Sequence, residues 1–370
     1  MNEEAELSLE EPEDIKQEVS ATKSMKPSKP KKYDLVYDGK TGSIYKIVLL
    51  DLLLRIITLN IYSFWGKTRF RKYVVSHHSL GGDRFEYTGT GGELFKGFLK
   101  VLPILVILFA PLAFLEAYPV LAIFYIPLIY CYGIAVYGAT RYRYSRSRWR
   151  GIRGYLDGST TGYANLAFGR MLLNIVTLGF AIPASDIAKH KYIMSNSYFG
   201  NVKAEFNGDS KVLFGAYMKS IFLIFLLMIL FLGGIFLSIG ASLTMGKTTA
   251  IIGIAVGFIG VTLIFPIARS IYTAALMREK MRGLKIGNLK FMNTVGAMDL
   301  IKHKLANLFI MLFTLGFGIP YILQRNIKFN ARYNIIMGDL DAFQAEQGKD
   351  QGLSSGEGLE AGFDIDAGFF

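Results

Sequence analysis

Three segments of the chain carry nearly the same sequence. They are "TLNIYSFWGKTRFRKY" from Thr58, "TLGFAIPASDIAKHKY" from Thr177 and "TLGFGIPYILQRNIKF" from Thr314. Each begins apolar and ends basic, and in each an aromatic residue follows 15 and again 29 positions after the threonine. Matches at fixed offsets without gaps are typical of internal repeats. We therefore predict a threefold repeat, of which the third copy is the shortest.

Each of these segments is predicted to interrupt a pair of helices that are about 15 residues long. Glycine after a helix end accepts a positive φ, and asparagine is the next best residue for that conformation. Proline suits the first turn of the following helix. The predicted helix-break residues are Thr58, Asn60, Thr177, Gly179, Pro183, Thr314, Gly316 and Pro320.

Two pairs of longer apolar runs are predicted to cross a membrane. They cover residues 98–114 with 119–139 and residues 213–241 with 249–273, and each run can reach the ~20 residues that span a hydrocarbon core. Hydrophobic residues make up 52% of the chain and its mean hydropathy is +0.34, which favours a membrane protein. Basic residues gather at the outer ends of both pairs. The positive-inside rule therefore places these ends and both termini in the cytoplasm.

Charged residues make the shorter helices poor membrane crossings, because each charge at the membrane centre costs about 2.5–3.5 kcal/mol. We predict hairpins that enter from the cytoplasm and return, or that lie in the interface, and seven crossing helices are the alternative. Ionisable residues inside a membrane often mark a transport pathway. The candidates for a substrate or ion pathway are Asp51, Arg55, Arg170, Asn174, Asp299 and Asn307.

Short strands are predicted beside the repeat helices, where aromatic and β-branched residues precede glycine. They lie at 33–39, 84–89, 153–158, 202–208 and 284–291. Unpaired strands cannot lie in lipid, so a small cytoplasmic sheet is expected. The predicted fold class is an α-helical polytopic membrane protein. It has a threefold internal repeat of short helix–break–helix hairpins, two long transmembrane hairpins and short cytoplasmic β-strands.

The pattern divides the chain into five parts. The terminal parts are charged and poor in apolar residues, so they are predicted to be disordered or solvated tails. The division is a tail at 1–33, repeat 1 with the first transmembrane hairpin at 34–140, repeat 2 with the second at 141–274, repeat 3 without a hairpin at 275–343, and an acidic, glycine-rich tail at 344–370.

The charge distribution points to membrane lipids as the partner and not to nucleic acid. Residues 21–338 contain 39 of the basic and 13 of the acidic residues, and the basic residues flank apolar runs. Such flanks face the anionic leaflet of a membrane. In the run "RYRYSRSRWRGIR" the arginines could bind lipid phosphates or merely anchor the topology. The lipid-phosphate candidates are Arg141, Arg143, Arg146, Arg148 and Arg150.

No residue pattern in the sequence indicates a catalytic, cofactor or metal site. His77 and His78 are adjacent, and on a helix they would point about 100° apart, so they do not chelate as an i, i+4 pair does. The glycine pairs lack a phosphate-binding motif, and the serines lack a nucleophile elbow. We expect no enzyme activity, no cofactor and no metal.

The stretch at 52–100 resembles the YjgN family of bacterial inner-membrane proteins, a domain family of unknown function. The match is carried by Thr58, Tyr62, Trp65, Arg69, Tyr73, Phe85, Tyr87 and Gly89. The resemblance covers about residues 33–343. The second and third copies depart from it, with Pro183-Ala184 and Pro320-Tyr321 in place of Phe64-Trp65. It implies a multi-pass protein of the bacterial inner membrane and supplies no catalytic residue.

Two functions remain open from the sequence. A small-solute transporter or channel predicts that the polar residues of the broken helices converge in a cavity. A non-transporting scaffold or lipid-organising protein predicts a filled centre and a basic cytoplasmic face.

Overall fold

The computed structural model describes residues 31–114, 118–341, 343 and 345–347. The two predicted tails lie outside these ranges, apart from residues 31–33, which belong to the first strand, and 345–347. Most of the loop predicted between the first two long apolar runs, at 115–117, also lies outside them.

Eleven strands and ten helices make up the regular structure of the described residues. The strands are β1 Lys31–Asp34, β2 Val36–Tyr37, β3 His78–Leu80, β4 Asp83–Tyr87, β5 Ser147–Trp149, β6 Ile152–Leu156, β7 Ser197–Phe199, β8 Val202–Phe206, β9 Leu284–Ile286, β10 Leu289–Asn293 and β11 Asn334–Gly338. The helices are α1 Thr41–Ile57, α2 Ser63–Ser76, α3 Gly91–Phe114, α4 Tyr118–Arg146, α5 Thr160–Val176, α6 Ile182–Ser195, α7 Lys211–Met245, α8 Lys247–Arg282, α9 Ala297–Phe313 and α10 Ile319–Tyr333.

The strands form one antiparallel sheet that nearly closes on itself. Its order is β1-β11-β10-β9-β8-β7-β6-β5-β4-β3-β2. The two strands at the ends of this order, β1 and β2, are separated in the chain by Leu35 alone. The sheet is therefore a ring that lacks one pairing, and only the short β1–β2 segment bridges its two edges.

Two-residue turns join the strands of four hairpins. At the β3–β4 turn Gly81 and Gly82 both have positive φ, and at the β5–β6 turn Arg150 and Gly151 do. The β7–β8 and β9–β10 turns begin with Gly200 and Gly287, which also have positive φ. These turns match the right-handed twist of the flanking strands, which explains the tight pairing on both sides.

A pair of helices follows each even-numbered strand and returns the chain to the next odd-numbered strand. The pairs α1–α2, α5–α6 and α9–α10 are short, whereas α3–α4 and α7–α8 are longer. The five helix pairs therefore stand around the ring on the side away from its hairpin turns.

The predicted fold class was wrong. The short strands do not belong to separate helical repeats, because all of them join one 11-stranded sheet from which five helix pairs extend. Among the described residues, one helix, Lys211–Met245, has the length and composition to cross a membrane. Apolar runs in a sequence indicate the length of helices, but they do not indicate which distant strands pair.

Apolar side chains line the interior of the ring. Strands that are not neighbours supply the buried residues of one cluster, so these residues must meet across the ring. The buried members are Leu35, Leu80, Trp149, Leu289, Ala331, Ile336 and Leu340, and Phe85, Phe199, Phe291 and Phe343 pack against them.

Residues 339–347, without 342 and 344, form a strap that crosses the hairpin-turn end of the ring. Leu340 is 1% exposed and joins the ring core, and Phe343 packs against Phe199 with the ring centroids 5.8 Å apart. The polar contacts are Arg150 Nη1 to Leu340 O (2.8 Å), Asn288 Nδ2 to Asp339 O (2.8 Å), Asn201 N to Glu346 O (3.0 Å) and Arg153 N to Gln347 Oε1 (3.3 Å). The strap therefore holds three of the four hairpin turns together.

Candidate functional site

A central chamber of about 1010 Å³ lies between the ring and the helices. Its walls come from the inner side of the ring and chiefly from α4, α5, α6 and α8. The volume is at the upper end of the range for pockets that hold drug-sized ligands. The chamber is therefore large enough for an organic molecule and far larger than a single inorganic ion requires.

Charged side chains of opposite sign line one part of the chamber, with the cations in excess. The carboxylate is Asp186, and the cations are Arg143, Arg148, Lys189 and Lys280. Asp186 Oδ1 lies 3.1 Å from Lys189 Nζ, and Asp186 Oδ2 accepts a hydrogen bond of 2.8 Å from the Tyr272 hydroxyl. The carboxylate is thus held in place, and its negative charge is outnumbered.

The remaining wall is mainly apolar and aromatic. Ile129 and Tyr132 of α4 and Phe168 and Met171 of α5 belong to this part of the lining. Ile129 lies four helical turns before Arg143, which is about 21 Å along α4. The chamber is therefore long.

His190 lies among these charges in α6 and lines the chamber. Burial is the main cause that lowers its pKa to about 3, the ammonium of Lys280 acts in the same direction, and a hydrogen bond to the Lys280 backbone opposes the shift. Burial also lowers the pKa of Lys280, while Asp186 raises it and Lys189 lowers it. At neutral pH the imidazole is neutral, and its one N–H is used in the hydrogen bond to the Lys280 backbone.

The folded protein is expected to lose stability as the pH falls from 6.5 to about 3. His190 has an ordinary pKa of 6.5 in the unfolded chain and about 3 in the folded one, so the unfolded chain binds the extra proton. The contribution is complete above pH 6.5 and declines by up to about 1.4 kcal/mol per pH unit below it. Unfolding midpoints of wild type and His190→Gln at several pH values measure this slope. An unchanged slope in the variant would assign it to a group other than His190.

The structure does not bring the six predicted pathway residues together. None of them is among the chamber-lining residues. They are distributed over the three short helix pairs, where each described contact is local. In the first pair, Arg55 Nε pairs with Asp51 Oδ2 at 2.7 Å. In the second pair, Ser185 Oγ donates to Asn174 Oδ1, and Arg170 is half-buried on α5. In the third pair, Asn307 Nδ2 donates to Asn326 Oδ1, and Asp299 accepts from the Gly296 amide at the start of α9.

The predicted helix-break residues lie at the tips of the three short helix pairs. Thr58, Thr177 and Thr314 follow the first helix, and each threonine hydroxyl donates to the carbonyl four residues earlier. The same oxygens accept from the amides of Tyr62, Ala181 and Gly318. Asn60, Gly179 and Gly316 have positive φ, and Pro183 and Pro320 begin the second helices.

The leucine after each threonine is the most exposed part of each tip. Leu59, Leu178 and Leu315 are 88%, 87% and 88% exposed, and all three have positive φ near 50°. A non-glycine residue in this conformation is uncommon. The threonine bridge across the turn explains how the backbone is held there.

The five candidate arginines do not form one exposed face. Arg141 donates to Gly158 O, Arg143 is buried and donates to Ala139 O, and Arg146 pairs with Glu93 at 3.1 Å. Arg148 lines the chamber, and Arg150 pairs with Asp83 at 2.5 Å. Intramolecular partners thus occupy at least four of the side chains that were predicted to bind lipid phosphates.

The chamber residues Lys189, His190 and Lys280 were not predicted as a site. Their sequences, "IAKHKY" and "MREKMRG", resemble the basic helix ends that anchor membrane proteins. The one signal in the sequence was the carboxylate of Asp186 three residues before Lys189, which places both on one helix face.

The adjacent histidines each make a local hydrogen bond. Nδ1 of His77 lies 2.7 Å from Tyr73 O, and Nδ1 of His78 lies 2.8 Å from Val74 O. Within the described ranges there is no group of three or more His, Cys, Asp and Glu side chains that could hold a metal ion.

Comparison with known proteins identifies related sequences but no related structure. Over 75 residues the chain is 37% identical to "Inner membrane protein YjgN" of Salmonella typhimurium, which is 20% of this chain and 19% of that protein. Over 63 residues it is 33% identical to the protein of the same name from Escherichia coli (strain K12), with 17% and 16% covered. The alignments thus span about a fifth of the curated relatives. No solved structure matches the chain.

The match to a family is far more extensive. Residues 32–362 match the family described as "Bacterial protein of unknown function (DUF898)". This range includes the strands of the ring apart from Lys31, the ten described helices and the residues around the central chamber. The chain therefore belongs to this family of bacterial proteins of unknown function.

Proposed function

We propose that this chain is an inner-membrane protein that binds a small solute in the central chamber, as the binding step in moving that solute across the membrane. The observation that carries the proposal is the chamber itself, with its long apolar wall and its cluster of charges. Solute sites commonly combine a mainly apolar lining with a few polar groups that fix the orientation of the ligand.

The exposed apolar surface supports the membrane location. Large apolar side chains are exposed along α7 and at the tips of the short helix pairs, and such patches are unusual on soluble monomers. Relatives of the chain are named inner membrane proteins. Contact with lipid is the environment in which this surface is stable.

A scaffold without transport activity is the second candidate. The strap across the end of the ring favours it, because Leu340 and Phe343 cover that end. Transport would require the strap or the ring core to move, whereas a scaffold would not.

Native mass spectrometry of the protein in nanodiscs tests solute binding. Wild type is expected to retain a small molecule, and the double variant Ala167→Trp/Met277→Trp, which fills part of the chamber, is expected to lose it. The control is Met228→Trp/Met245→Trp, at exposed positions of α7. An empty wild type, or the same bound molecule in all three proteins, would contradict solute binding and favour the scaffold.

The orientation of the termini is a separate part of the proposal. The predicted excess of basic residues on the cytoplasmic side places both termini there. In a Cys131→Ser background, Ser28→Cys and Ser354→Cys are expected to resist a membrane-impermeant thiol reagent in intact cells and to react after lysis. Labelling of either residue in intact cells would place that terminus outside.

A further inference from the structure

We infer that the chamber binds an amphipathic anion, with a phosphate or carboxylate group near Lys280 and an apolar body along α4 and α5. This inference rests on the proposed function, because it names the ligand class of the same chamber.

The excess of positive charge requires an anion. Arg148, Lys189 and Lys280 line the chamber with one carboxylate, Asp186, which is already engaged by Lys189 and Tyr272. Cations placed away from water are costly unless they are compensated. A bound anion would supply the missing charge, whereas a cationic ligand would increase the imbalance.

The cations have a defined place in the chamber. Arg143 and Lys280 lie in the last turns of α4 and α8, next to the strands β5 and β9. Neutral His190 lies beside Lys280, and Asn293 and Ser197 from the ring line the same chamber. A phosphate or carboxylate accepts hydrogen bonds from ammonium and amide donors of this kind.

The apolar wall requires more than a bare anion. Ile129, Tyr132, Phe168 and Met171 offer no charge to a ligand, and the methionines Met277 and Met281 can adapt to its shape. Inorganic phosphate would occupy a small part of a volume of about 1010 Å³ and would leave this wall without a partner. An acyl or other apolar chain joined to the anionic group satisfies both parts of the chamber.

Trp149 provides a reporter, because it lines the chamber and is one of two tryptophans in the chain. In a Trp65→Phe background its fluorescence can be titrated with decyl phosphate, decanol and inorganic phosphate in a non-ionic detergent. We expect decyl phosphate to bind at least tenfold more tightly than either of the other two. Decanol controls for partitioning into the micelle.

Two chamber variants should change the affinity in opposite directions. Lys280→Gln is expected to weaken decyl phosphate binding about tenfold or more, because a charge-assisted hydrogen bond is lost. Asp186→Asn is expected to strengthen it several-fold by removing the competing negative charge. Lys211→Gln, at an exposed position at the start of α7, should leave it unchanged.

If decanol and decyl phosphate bind equally tightly, and if Lys280→Gln changes neither affinity, the anion inference is wrong. That result would leave the proposed solute binding intact, because native mass spectrometry in nanodiscs tests it separately. If inorganic phosphate binds as tightly as decyl phosphate, the inference that the ligand has an apolar body is wrong.

The source of the ligand is tested in a separate experiment. Competition by phosphatidylglycerol, but not phosphatidylcholine, in nanodiscs would identify a membrane lipid, and its absence would identify a free solute.

Discussion

Replacing Trp149 by alanine is expected to lower the free energy of unfolding by about 3–5 kcal/mol. Trp149 is 4% exposed at the centre of the ring core. Its ring centroid lies 6.1 Å from that of Phe85 and 5.9 Å from that of Phe199, and the Arg150 guanidinium lies 4.6 Å above it. Alanine would leave a void among side chains that the paired strands hold apart. Denaturant unfolding in detergent micelles measures the loss.

The second tryptophan of the chain is a matched control. Trp65 lies near the start of α2, is 37% exposed and packs mainly against Phe95, at 5.5 Å between ring centroids. Trp65→Ala is expected to cost about 1 kcal/mol, the usual effect of a substitution outside the core. Equal losses from the two substitutions would show that the ring core does not dominate the stability of the fold.

Truncation after Gly338 is expected to open the hairpin-turn end of the ring and to destabilise the protein by about 2–5 kcal/mol. The truncation keeps β11 but removes Leu340, whose burial alone accounts for a loss of this size. It also removes Phe343 and the acceptors that hold Arg150, Asn201 and Asn288. Thermal unfolding in detergent measures the change in stability.

Truncation after Gln347 is the control, because it keeps the strap and removes only residues 348–370. The opening of the ring can be followed separately in a Cys131→Ser background with Phe291→Cys, a ring-core position. A water-soluble thiol reagent should label this cysteine faster after truncation at 338 than after truncation at 347. Equal labelling rates would mean that the strap does not close the ring.

Several strands could be predicted from the sequence because they are five residues long and end near glycine. The predicted strands at 84–89, 153–158 and 202–208 overlap β4, β6 and β8. Their partners β3, β5 and β7 have three residues each, which is too short for an alternating pattern. The turn pairs Gly81-Gly82 and Arg150-Gly151 were the signal that would have revealed the hairpins.

The chamber could not be predicted, because its residues converge only through the ring. Lys189 and Lys280 lie on helices that leave the ring after different strands. Each belongs to a basic helix end, and such an end has the same sequence pattern whether it faces a lipid surface or a cavity. The polar residues of the broken helices differ from these chamber residues. Asp51, Asn174 and Asn307 were predicted as pathway residues, and in the structure they make local contacts.

The nearly closed ring also imposes an order on biosynthesis. Strand β1 pairs with β11, so residues 31–34 find their partners at residues 335–338. Strand β1 therefore has no strand partner until residues 335–338 have been made. Unpaired strand edges can pair with other chains, and contacts between distant residues form slowly. A circular permutant that begins at β2 and ends with β1 would make the β1–β11 contact local and keep the β2–β3 contact local, so it should complete its sheet faster than the natural chain.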